Sequence, residues 1–173
     1  LQTRIGKFKS GDPPLAHSDV VPLARDDLRQ NLHRQVTETI KAGAKCLLGG
    51  ELNDGAGFFY PPTLLIDVTE GMCAFKEETF GPVMVVIRAA DVEEAVQLAN
   101  ETPYGLGAAV WTSNAELATN IANRLEAGQV AINGIVKTDS RLPSGGIKGS
   151  GYGRELGPHG IREFVNSKQI WVK

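Results

Sequence analysis

The sequence predicts an α/β fold, an open and mostly parallel sheet flanked by helices. Three observations carry that reading. Val83-Met84-Val85-Val86-Ile87 is a continuous apolar run of strand length, suited to burial on both faces. Around it, strand-like runs alternate with segments whose apolar residues recur every fourth position. The connections between these segments are short, which favours parallel crossovers with helices packed over a sheet.

The first 25 residues contain Pro13, Pro14 and Pro22 and little periodicity, so they read as a short helical remnant followed by a loop. Asp26 is placed to cap a helix along which Leu28, Leu32, Val36 and Ile40 form one stripe, with Gly43 as its stop. Lys45-Cys46-Leu47-Leu48 then reads as a strand ended by Gly49-Gly50, and the turn Asn53-Asp54-Gly55 leads towards a further strand over Thr63 to Val68. Asp91 and Glu94 match a capping box for a helix through Ala99, and Gly107 to Trp111 is the next strand. Ser113 and Glu116 match a second box, ahead of Leu117, Ile121 and Leu125 at fourfold spacing. Gly128 ends that helix and Val130 to Asn133 supplies another strand. Residues 134–160 are dense in glycine with little apolar periodicity and read as mostly loop, of a length that usually signals function or a covered surface. The last segment, Phe164 to Lys173, reads as a terminal strand whose unpaired edge calls for a partner such as another subunit.

Composition narrows the functional classes. Eighteen basic against twenty acidic residues give a net charge of −2, which leaves no basic footprint for nucleic acid. No apolar run approaches the roughly 20 residues that span a bilayer. The start, Leu1-Gln2-Thr3-Arg4, has neither an initiator Met nor the apolar core of a secretory signal, so a cytoplasmic location is expected. Two cysteines do not make a disulfide framework, and His17, His33 and His159 show no metal-ligand spacing.

Three places invite chemistry. Pro143 to Arg154 is glycine-rich, but Lys148 precedes Gly149 where a Walker loop needs Gly-Lys-Ser/Thr. Gly151, Gly153 and Gly157 also miss the dinucleotide fingerprint by one residue. The segment is therefore either a phosphate loop or a place of close chain packing that only glycine permits. Glu77-Glu78-Thr79-Phe80-Gly81-Pro82 holds adjacent carboxylates before an apolar strand. They are either solvated loop residues or ligand contacts at a strand end, where a carboxylate suits ribose hydroxyls and Phe80 offers a flat wall. Cys46 lies in an apolar strand and Cys73 in a loop, and neither has a base nearby in sequence, so both read as inert thiols.

Two of these segments, taken together with others in order, resemble the C-terminal half of aldehyde dehydrogenases. The matching runs are Gly57 to Thr63, Glu77 to Pro82, Ala99 to Leu106, Leu142 to Glu155 and Glu163 to Asn166, so the likeness covers essentially the whole chain. Within that family, Asp139 to Pro143 and Gly151 to Leu156 look most like bacterial succinate-semialdehyde dehydrogenases. The resemblance implies oxidation of an aldehyde to the acid, through a thiohemiacetal on cysteine, with NAD or NADP as hydride acceptor. It implies that Glu78 holds the nicotinamide ribose and that Phe80 packs beside the nicotinamide. It makes Thr138, Arg141 and Ser144 candidate contacts for a small-molecule aldehyde, with Arg141 suited to a substrate carboxylate. Many relatives carry an aromatic where Ser144 stands.

The family's nucleophile sits in a Gly-Gln-x-Cys segment that these residues lack, as they lack the general-base glutamate and the dinucleotide domain. The chain is therefore expected to contain no catalytic nucleophile and to be inactive alone. Residues 1–160 are expected to be the C-terminal part of the catalytic domain. Residues 161–173 are expected to carry a strand that joins copies into a homo-oligomer. A stand-alone binding or oligomerisation module, without chemistry, is the competing reading, and a nucleotide-phosphate binder built on residues 145–153 is a third.

Overall fold

The computed structural model describes residues 1–13, 18–52 and 54–173. The expectations that involve Pro14, His17 and Asn53 lie outside them. The chain forms two compact units, Leu1–Arg88 and Ala89–Lys173.

The first unit contains α1 (Gln2–Ile5), α2 (Asp26–Lys41), β1 (Lys45–Leu48), β2 (Thr63–Ile66), α3 (Cys73–Lys76) and β3 (Val83–Val85). Helix α2 opens one residue earlier than a cap at Asp26 requires. Arg25 occupies the N-cap in extended conformation, and Asp26 and Asp27 sit in the first turn, where their charge opposes the helix dipole favourably. The buried face is also rotated from the expected stripe. Leu32, Gln35, Val36 and Thr39 are buried, whereas Leu28 and Ile40 are more than one-third exposed. Leu32 and Val36 pack with Ala44, Tyr60, Leu65 and Val68 in the unit's core. Each large aliphatic group buried there contributes about 1.5–3 kcal/mol.

The three strands form one sheet in the order β1-β2-β3. β1 and β2 are antiparallel, with a register irregularity between Cys46 and Leu48. β2 and β3 are parallel, Thr63 facing Val83 and Leu65 facing Val85.

The second unit contains α4 (Val92–Asn100), β4 (Tyr104–Gly105), β5 (Gly107–Val110), α5 (Ala115–Arg124), β6 (Gln129–Ile132), β7 (Ile147–Lys148) and α6 (Gly157–Arg162). Asp91 caps α4 as expected, accepting from the Glu94 N–H at 2.9 Å. The cap of α5 is Asn114 rather than Ser113. Its side chain accepts from the Leu117 N–H at 3.0 Å, so Glu116 falls one place short of a capping box. β5 and β6 pair in parallel through the α5 crossover, and β4 pairs antiparallel with β7.

The α/β class holds, but not the single, mostly parallel sheet. Among the described residues the strands form three small sheets, with two parallel and two antiparallel ladders. The reason lies in the connections. A helix lies between β2 and β3 and another between β5 and β6, which lets those pairs run parallel. β1 reaches β2 without a helix, and the chain returns antiparallel. The expected terminal strand is not formed either. Residues 166–173 carry neither helix nor strand, and Ile170, Trp171 and Val172 are exposed. A strand is stable only when a neighbour takes its N–H and C=O groups, and this segment pairs with no strand among the described residues. Among the described residues no helix is long and apolar enough to cross a membrane.

Candidate functional site

The loop from Glu77 to Pro82 joins α3 to β3, and helix α2 fixes it at two points on one face. Gln35 is 3% exposed, and its side-chain amide donates to Glu77 Oε2 at 2.9 Å and to the Glu78 carbonyl at 3.1 Å. Both partners are acceptors only, which fixes the amide's orientation. One turn earlier, Leu32 meets Gly81 so closely that a Cβ there would lie 2.4 Å from Leu32 Cδ2. The chain between these points carries Glu78, Thr79 and Phe80. Beyond them, the Thr63 N–H donates to the Pro82 carbonyl at 2.8 Å and ties the turn to β2.

Glu77 faces inward to this network. Arg34 donates to Glu77 at 2.7 Å and to Glu38 at 2.7 Å. The Gln35 amide, then the Arg34 guanidinium, hold the Glu77 carboxyl below its ordinary range. Arg34 is held all the more firmly protonated by the Glu77 carboxylate. Thr39, fully buried, donates to the Gln35 carbonyl at 2.7 Å and accepts from the Ala74 N–H at 2.9 Å, so the same helix also anchors α3.

Glu78 points the other way in chemical terms. Its side chain is exposed and, among the described residues, takes part in no hydrogen bond or ion pair. Phe80 is 74% exposed, an unusual cost for an aromatic ring on a loop fixed from behind. A free carboxylate and a bare ring on a braced loop suit a diol and a flat heteroaromatic group. One acceptor group and one flat apolar face are compatible in kind with a nicotinamide riboside.

Cys46 lies in β1 as expected, whereas Cys73, expected in a loop, opens helix α3. Burial first, and then the Glu77 carboxylate, push the Cys73 thiol up, which keeps it protonated. Cys46 donates to the Leu48 carbonyl at 3.2 Å. Both are free thiols.

In the second unit the glycine segment packs closely against neighbouring backbone. A Cβ on Gly128 would lie 1.8 Å from the Gly145 carbonyl oxygen. The Gly149 N–H donates to Pro103 at 2.8 Å and the Gly105 N–H to Ser150 Oγ at 3.0 Å. Lys148 donates to the Asn100 carbonyl at 2.6 Å and pairs with Glu126. Its charge and these N–H groups are engaged inside the unit, which favours close packing over a phosphate loop.

Thr138 is exposed, and Arg141 is bound by Asp139 through two contacts, at 2.9 and 2.6 Å. Three guanidinium N–H groups remain for another partner. Ser144 is half-buried and exchanges both backbone hydrogen bonds with Glu155, at 2.8 and 2.7 Å. It lines a hollow of about 410 Å³ with Arg154, Glu163 and Phe164; Thr138 and Arg141 are not among its walls. Sequence reasoning missed Gln35 and Thr39. The available signal was two polar residues at i and i+4 beside the apolar Leu32 and Val36.

The first unit of this α/β chain thus carries a Glu-Thr-Phe-Gly-Pro loop braced by Gln35 and Leu32. Residues 1–170 match the aldehyde dehydrogenase family, and the chain belongs to that family. It is 49% identical over 165 residues to a probable succinate-semialdehyde dehydrogenase [NADP(+)] of Synechocystis, covering 95% of this chain and 36% of that protein. It is 48% identical to a succinate semialdehyde dehydrogenase [NAD(P)+] of Escherichia coli, covering 95% and 36%. The chain thus spans little more than a third of the curated relatives it matches. Among solved structures, it is similar to the succinic semialdehyde dehydrogenase of Streptococcus pyogenes in complex with NADP+. There the TM-score is 0.92 and the identity 34%, over 99% of this chain and 38% of that one. It is similar too to the betaine aldehyde dehydrogenase of Staphylococcus aureus in complex with NAD+. In that case the TM-score is 0.91 and the identity 34%, over 97% and 34%.

Proposed function

We propose that this chain is the C-terminal part of a cytoplasmic NAD(P)-dependent aldehyde dehydrogenase that oxidises succinate semialdehyde to succinate. The observation that carries the reading is the Glu78-to-Phe80 loop, presenting a carboxylate without a side-chain partner among the described residues and an exposed ring from a base fixed by Gln35 and Leu32. Glu78 accepts hydrogen bonds from the nicotinamide ribose, and Phe80 packs beside the nicotinamide. NAD(P)+ supplies the hydride acceptor. The nucleophilic cysteine, which forms the thiohemiacetal, lies in a part of the protein outside this chain.

Thr138, Arg141 and Ser144 contribute polar contacts to the aldehyde, and Arg141 uses its remaining donors for the substrate carboxylate. The similarity to relatives named for succinate semialdehyde supports that substrate. Residues 161–173 form the segment through which subunits join, and Ile170, Trp171 and Val172 become buried when it gains a partner strand.

Steady-state kinetics of the full-length protein, across aldehydes with and without a distal carboxylate and with both dinucleotides, test the reading. The expected result is a kcat/KM preference for succinate semialdehyde that falls when Arg141 becomes Met. The 173-residue chain alone is expected to be inactive. Turnover by that chain, or equal use of uncharged aldehydes, would overturn the corresponding parts of the proposal. Failure of the full-length protein to oxidise any aldehyde would favour a non-catalytic module.

A further inference from the structure

We infer that Gln35 is a positioning residue for cofactor binding, setting the place of the Glu78 carboxylate through that residue's backbone. The inference rests on the reading of Glu78 given above, and it concerns a helix that carries none of the residues assigned to the site.

The amide of Gln35 is buried and commits both N–H groups to the loop, one to the Glu77 carboxylate and one to the Glu78 carbonyl. Leu32, one helical turn away, blocks the loop's other end at Gly81. Residues three apart on a helix share a face, so a single rigid element holds both ends of a segment about four residues long. Arg34 closes the arrangement from the solvent side by pairing with Glu77. Glu78 itself has no side-chain partner among the described residues, so its direction is set by its backbone. Losing the Gln35 donors frees that backbone and leaves two acceptors to find other partners. A recognition group that must be held to within a fraction of an ångström then loses its preorganisation.

The test is titration of the full-length protein with NADP+ and with NAD+, followed by calorimetry, alongside thermal unfolding of each variant. Glu78→Ala is expected to weaken binding. Gln35→Met, close in volume but without donors, is expected to weaken it about tenfold, the size of one hydrogen bond to a charged group. In the Glu78→Ala background, Gln35→Met is expected to add nothing further, because its effect passes through Glu78. A merely structural role would lower affinity equally in both backgrounds.

Glu77→Ala and Glu77→Gln provide a second route on an exposed side chain, should Gln35→Met not fold. The alanine variant is expected to weaken binding, and the glutamine variant, which keeps an acceptor for Gln35, to stay within about threefold of the parent. If Glu78→Ala leaves affinity unchanged, the cofactor role of Glu78 falls, and the inference with it. If Glu78→Ala weakens binding but Gln35→Met does not, or adds its full effect to it, the positioning role alone is overturned. Equal affinities of parent and Glu77→Ala would overturn it likewise.

Discussion

Leu32 and Gly81 touch across 49 residues of sequence, and the contact leaves no room for a side chain at position 81: a Cβ would come to 2.4 Å from Leu32 Cδ2. Leu32 is 1% exposed and packed in the core, so it cannot swing aside. Gly81→Ala is expected to destabilise the protein by about 1–3 kcal/mol through overpacking. Denaturant unfolding checks this. Combining it with Leu32→Val should cost less than the sum of the two changes, since the smaller side chain vacates the contested space. Additive losses would show that the strain lies elsewhere.

Thr39 joins α2 to α3 through one hydroxyl. Replacing it with Val keeps the shape but removes the acceptor for the Ala74 N–H, leaving a buried donor without a partner. The expected loss is about 1–3 kcal/mol. Thr39→Ser keeps the hydroxyl and is expected to lose less, despite the missing methyl. A chemical denaturation series that ranks Val above Ser in stability would contradict this account.

Much of this was legible in the sequence, and the limits have physical causes. Helix α4 was readable because its signal is local: Asp91 caps it and Val96 turns inward within two turns. β1 ends where expected, because the Gly49-Gly50 pair follows it directly. Glu77 to Pro82 was also readable as a motif. Its support was not, because Gln35 acts on residues 42 and 43 positions away, and local periodicity says nothing about such partners. The same blindness explains the rotated face of α2. Fourfold spacing of Leu28, Leu32, Val36 and Ile40 described a stripe, while packing selected Leu32, Gln35, Val36 and Thr39. The terminal strand was read from Ile170, Trp171 and Val172 set among polar residues, and strand formation also requires a neighbour.

Acid should weaken the first unit through Glu77. Its carboxyl is held below the ordinary glutamate value of 4.5 by Gln35 and Arg34. A depressed folded value means that the contribution is complete above pH 4.5 and is lost as pH falls through the folded value. Because the side chain is nearly half exposed, solvent screening keeps the effect modest. Glu77→Gln is expected to flatten the stability–pH curve below about pH 4.5. Parallel curves for parent and variant would mean that other carboxylates govern the acid limb.

Gly128 offers the sharpest test of the second unit. A Cβ there meets the Gly145 carbonyl oxygen at 1.8 Å, and backbone cannot yield as a side-chain tip can. Gly128→Ala is expected to push the Gly145-Gly146 backbone away and loosen the Ser144–Glu155 bridge beside it. Hydrogen exchange at the Ser144 and Glu155 amides should accelerate relative to the Asp91-capped helix. Unchanged protection at both amides would rule out this displacement.

The bracing of residues 77–82 has a bearing on how the polypeptide matures. Arg34 and Glu77 are 43 positions apart, and every tie between α2 and this stretch closes an excursion of similar length. Such an excursion must lose its chain entropy before any tie contributes. Residues 77–82 are therefore expected to settle after their helix and the intervening strands have assembled, late in the order of folding events.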